Sequence, residues 1–226
     1  MLYRNRGYLS DSTLDLMDSS MRAGIKTVFS NEPEFVDNYE TNGILRRGPN
    51  QYPASNPLNF TRDQLVPLIA AYHKVGNYMA ARRVFYSHAR RLFFCQNFER
   101  DIEGSTKYPW PHKIKVGDPK DIGTWRAFDF ADPLLPHHIL MLAIAGRVYW
   151  AYAVAPIAFV FLLLSILFGR HDIEDEQNQM QCMLKVYGDF WINLYKFFNP
   201  NWVRQTEQYW YRRGEFEYAE WIKDDF

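Results

Sequence analysis

Two cysteines in 226 residues, Cys95 and Cys182, are too few and too far apart for a zinc-ligand spacing or a disulfide framework. Net charge is also lacking, because 26 Lys+Arg balance 26 Asp+Glu. That balance argues against a chain dedicated to nucleic acid and leaves only a local basic patch for such a role. No G-x-S-x-G, P-loop or Rossmann glycine pattern occurs, so nucleophile-elbow and phosphate-cradling chemistry have no footing here. The opening residues, MLYRNRGYLSDST, hold no apolar core segment, and no cleavable signal peptide is expected. Asn59-Phe60-Thr61 matches the glycosylation triplet, which carries little weight without export.

What the chain does have is aromatic residues, at 17 %, and one long uncharged run. Val148 to Gly169 is 22 residues without a formal charge, and 12 of the 21 from Val148 to Phe168 are Leu, Ile, Val or Phe. As an α-helix the run spans roughly 33 Å, enough for a hydrocarbon core of about 30 Å. Tyr149, Trp150 and Tyr152 gather at its first end, where amphipathic rings favour the headgroup layer. Arg147 and Arg170 bracket it and can reach outward, and Pro156 is expected to kink it. Phe161, Leu164 and Phe168 fall in its second half. The competing reading is a helix buried at the centre of a larger assembly. If the helix spans lipid, Cys95 and Cys182 lie on opposite sides and cannot pair.

The rest divides by composition. Residues 1–60, with seven acids and six bases, read as an extended arm holding one short helix, Asp11 to Lys26. Residues 61–100 read as a basic α-hairpin. Thr61 caps its first helix, Asp63 complements the dipole, and Leu65, Leu68, Ile69, Tyr72 and Val75 form one stripe. Gly76-Asn77 breaks it, and a second helix is predicted from Tyr78 to Phe98. Residues 101–138 form a proline-broken link, 139–169 the apolar segment, and 170–226 a C-terminal aromatic region. That last region is predicted to hold helices over Gln177 to Phe198 and Trp202 to Lys223, with Phe190, Leu194, Phe197 and Phe198 on a buried face. The fold class is therefore mainly α: an extended N-terminal arm, a basic helical hairpin, one long apolar helix of transmembrane length, and a C-terminal aromatic helical pair.

Candidate sites follow from residue type. Arg82, Arg83, Arg90 and Arg91 make a basic patch that can meet phosphate of nucleic acid or of anionic lipid; the alternative is a solvated face or pairing with acids of the N-terminal arm. Trp191, Trp202, Trp210 and Trp221 are candidates for an interaction surface, with an ordinary aromatic core as the alternative. His137-His138, near Asp129 and Asp132, carries metal-ligand residue types. Adjacent residues of an extended chain point opposite ways, and no metal or other cofactor is expected. Glu99, Asp101 and Glu103 could supply carboxylates for glycan hydrolysis.

Two resemblances bear on this. LVPLIAAYHKVGNYMAARRVF, residues 65–85, resembles one copy of the helical hairpin of the pentatricopeptide and tetratricopeptide families; no second copy occurs, so it supports a hairpin and implies no RNA binding. Asn59 to Leu68, Cys95 to Arg100 and Phe130 to Pro133 are similar to segments of uncharacterised bacteriophage-encoded proteins. That likeness implies a virion component, in the tail or the apparatus that contacts the host membrane. The expectation is a non-enzymatic structural protein at a membrane or in a virion, with other subunits and a lipid bilayer as partners. The alternatives are a bitopic cellular membrane protein whose basic domain binds lipid or a partner, and a small glycan hydrolase acting near Glu99.

Overall fold

A computed structural model of the chain describes residues 19–29, 36–45, 60, 62–95, 133–168 and 174–200. Among these it is mostly helical. The helices are α1 (Ser19–Phe29), α2 (Arg62–Lys74), α3 (Tyr78–Arg90), α4 (Pro136–Ala145), α5 (Ala155–Phe168), α6 (Glu174–Tyr187) and α7 (Asp189–Phe198). Short 3-10 turns occupy Val36–Tyr39 and Tyr149–Val154. The predicted carboxylates Glu99, Asp101 and Glu103 lie outside the described residues, as do Asp129, Asp132, Arg170, Trp202, Trp210, Trp221 and the predicted helix from Trp202.

The predicted α-hairpin is present, with the break where Gly76 takes φ +74°. Asn77 caps α3, its Oδ1 accepting from the Ala80 amide at 3.1 Å. Val75, expected on the apolar stripe, falls past the end of α2 and is exposed. The second helix stops at Arg90, eight residues short of Phe98. Leu92 and Phe93 adopt φ +53° and +59°, and the Phe93 amide and carbonyl are taken by the His88 carbonyl and the Leu134 amide, at 2.8 and 2.7 Å. A turn tied at both ends in this way cannot continue a helix.

α2 is the hub: α1, α3, α4 and α6 all pack on it. Its Tyr72 is fully buried and donates a 2.8 Å hydrogen bond to the Val36 carbonyl, which fastens the 3-10 turn to the core. Tyr72→Phe would remove that tie. Urea unfolding should show a loss of about 0.5–1.5 kcal/mol, and an unchanged midpoint would disprove the tie.

Within residues 1–60, read as an extended arm, the described parts pack against the core. α1 packs along α2, and residues 40–45 form a hairpin pairing Glu40 with Leu45 and Thr41 with Ile44. Its turn, Asn42-Gly43, has φ +52° and +85°, the left-handed pair that a two-residue hairpin requires. The Asn-Gly dipeptide was the available signal for this hairpin.

Gln177 to Phe198, predicted as one helix, is two. Gly188 at φ +100° separates α6 from α7. Of the predicted buried face on α7, Leu194 packs partly on the core, but Phe190, Phe197 and Phe198 are exposed, and Ile192 and Tyr195 are the buried residues. Rotation about the Gly188 break sets which side of α7 meets the core.

Candidate membrane-facing surface

The apolar run forms one continuous helical rod, Tyr149–Phe168, 20 residues long, whose most apolar 18-residue stretch has mean hydropathy 2.5. Its first part is 3-10 and its second part α-helical. The greater rise of the 3-10 turns brings the rod to about 33 Å. Pro156, predicted to kink a long α-helix, sits instead in the first turn of α5, where the 3-10 turns give way to α-helix and a proline is tolerated. The rod leaves α4 through Gly146-Arg147-Val148, with Arg147 at φ +52° and the Val148 amide donating to the Ala143 carbonyl at 2.8 Å.

Among the described residues only 22 % of its most apolar stretch is buried, so most of the rod lies outside the core that they form. Ala158, Leu162 and Ile166 form the buried stripe, spaced one turn apart, and α5 docks on α4 and α7. The rest of its circumference faces outward: Ile157, Phe159, Val160, Phe161, Leu163, Leu164, Leu167 and Phe168 are all exposed, with Leu164 at 46 % and Phe168 at 76 %. Pro156 is exposed as well. No charged side chain interrupts this surface. Contiguous apolar area of this kind on a folded chain marks a contact surface.

Aromatic rings frame it. Tyr149 and Trp150 are exposed and Val148 is buried. The Tyr149 and Tyr152 rings meet edge to face at 5.7 Å, and Trp150 packs at 5.7 Å on Phe85 of α3. On the far flank Trp191 stacks on Phe159 at 5.3 Å, so the one described member of the predicted tryptophan set lies half-buried against the apolar helix. Asn199 Nδ2 donates to the Ile166 carbonyl at 3.3 Å. With Trp191 beside Phe159 and Asn199 beside Ile166, α7 runs parallel to α5.

The four arginines of the predicted basic patch have separate surroundings. Arg82 donates to the carbonyls of Gly146 and Arg147, at 2.9 and 3.2 Å, and closes the end of α4. Arg83 pairs with Glu40 through Nε to Oε1 at 3.0 Å and a second N–H to Oε2. That is the pairing with the N-terminal segment weighed as the alternative, made between α3 and the hairpin. Arg91 is buried, donates to Ser87 Oγ at 3.0 Å, and burial lowers its guanidinium to about 10. Arg90 is exposed. Arg147, at the aromatic end of the rod, is exposed, with its guanidinium 3.4 Å from the Tyr78 ring centroid.

His137 and His138 are not extended, as the sequence reading supposed, but sit in the first turn of α4 with ring centroids 4.1 Å apart. Both are buried. Desolvation, reinforced by Arg62, lowers His137 to about 4; the same burial, with His137 and Arg62 beside it, holds His138 well below its ordinary value. Tyr187 of α6 donates to the His137 carbonyl. Among the described residues no group of three His, Cys, Asp or Glu could hold a metal ion.

No protein-family model, curated protein or solved structure matches this chain. The geometry alone defines its class: a mostly helical protein with one apolar helix of membrane-crossing length, largely exposed among the described residues.

Proposed function

We propose that this is a non-catalytic interaction protein that attaches to lipid bilayers through the exposed face of α5. The observation that carries the reading is the outward arc from Ile157 to Phe168, apolar throughout and left open by the fold. Lipid suits it better than a protein partner. Protein interfaces carry about one hydrogen bond per 100–200 Å² and a polar rim. The exposed residues of this arc offer no side-chain donor or acceptor, since Ser165 is half-buried. Exposed Tyr149 and Trp150, with exposed Arg147 two and three residues before them in the chain, suit the headgroup layer of an anionic membrane. The eight exposed Leu, Ile, Val and Phe side chains favour lipid by roughly 2 to 5 kcal/mol on the membrane-insertion scale.

The test is flotation of the purified full-length chain with phosphatidylcholine–phosphatidylglycerol vesicles. The wild type should rise with the vesicles. Val160→Asp with Leu164→Asp, both at exposed positions, should keep the thermal melt and lose association about tenfold or more. Wild-type protein that stays at the bottom, or a folded double variant that floats as well as the wild type, would remove lipid as the partner of this face.

A further inference from the structure

We infer that the chain meets the bilayer from one side only, with α5 and α7 seated together in one leaflet and neither crossing it. This rests on the reading that lipid covers the α5 face.

The first support is connectivity. Residues 62–95 precede the apolar rod and residues 174–198 follow it, yet α2 packs directly on α6, and α4 also contacts α6. Cys95 and Cys182 are buried in the same core cluster. A crossing helix would put these two segments on opposite faces of the membrane and open that core. The sequence expectation placed the two cysteines across a bilayer from each other; the fold puts them in one interior.

The second support is what lies beside α5. Tyr187 and Trp191 both meet Phe159, at 6.1 and 5.3 Å, so the intervening Asp189 is level with Phe159. Phe159 is about 19 Å from the Tyr149 end of a rod of about 33 Å. In a crossing orientation the exposed Asp189 would stand near the middle of the hydrocarbon, and Lys196 would follow it inside. With α5 lying in the membrane plane, its bundle side faces the headgroups, and such charges reach water by a short path.

The third support is that Phe190 and Phe197 are exposed on α7, the helix parallel to α5. They widen the apolar surface beside α5. A helix seated in one leaflet buries its apolar face about 5–10 Å into the headgroup and acyl boundary.

Two readouts on the full chain test this with the same vesicles. In the first, Val75→Cys and, separately, a cysteine appended after Phe226 are labelled with a membrane-impermeant maleimide, the native cysteines being buried. Both should label as completely with vesicles as without them; protection of either would mean crossing and would overturn the inference. In the second, a bimane on Val160→Cys should be quenched about twofold more by nitroxides near the headgroup than by nitroxides deep in the acyl chains. Stronger quenching by the deep label would also overturn it. Chains that do not associate with vesicles at all would instead remove the lipid reading beneath it.

Discussion

Lowering the pH from 7 to 4.5 is expected to remove roughly 5 kcal/mol of folding stability through His88 and His137 alone, on the order of a whole domain's margin. Both side chains are buried, His88 completely. Burial, with Arg91 next in importance, lowers His88 to about 3, although its ring bonds the Val84 carbonyl at 2.9 Å. His137 is lowered to about 4 by burial and Arg62. Their unfolded values stay near 6.5, so below that pH the unfolded chain takes up protons that the folded chain refuses. The stabilisation is complete above pH 6.5 and is lost as the pH falls toward the folded values. Each histidine contributes a slope of about 1.4 kcal/mol per pH unit across that window. His138 acts in the same direction. A cation in the first turn of α4 would also oppose the helix dipole. Urea unfolding at pH 7.5, 6.5, 5.5 and 4.5 measures the slope, and His88→Gln should flatten it. Equal stability at pH 7 and pH 5 would show that these rings reach water.

The second large effect is expected at Gly24. In most helices alanine is favoured over glycine by about 1 kcal/mol. Here a Cβ would stand 2.6 Å from the Pro67 carbonyl carbon, 2.7 Å from the Leu68 nitrogen and 2.9 Å from the Pro67 oxygen. All three are backbone atoms of α2, so no side chain can rotate away. α1 must lift from α2, loosening the buried Met21, Ile25 and Val28. Overpacking of this kind costs about 1–3 kcal/mol or more, which outweighs the propensity gain. Gly24→Ala should therefore lower Tm by several degrees, and a thermal melt that rises would mean that α1 does not approach α2 this closely.

Much of the helical layout was legible. The stripe from Leu65 to Tyr72 and the Gly76-Asn77 break each carry a local pattern and form as read, and the apolar run is helical, though 3-10 in its first part. Asn42-Gly43 carried a hairpin signal that a reading of residues 1–60 as an arm passed over. Other features had no local signal. Arg83 finds Glu40 across 43 residues, and a charge on a helix surface does not name its distant partner. His137 and His138 looked like a polar pair before an apolar run, and their burial depends on α2 and α6 closing over them.

For the candidate site the division is sharper. The sequence by itself determined that the run from Val148 to Gly169 must be covered by something apolar, because 22 uncharged residues, most of them apolar, cannot face water along their length. Which side of it docks was not readable: apolar residues surround the rod, so no periodicity distinguishes one face from another. Tertiary packing decided that. Ala158 lets the chain approach closely, Leu162 and Ile166 extend the stripe, and the remaining arc stays open. Tertiary packing also joined the segments before and after the rod in one core, since α2 and α6 bury their apolar faces against each other wherever the rod between them lies.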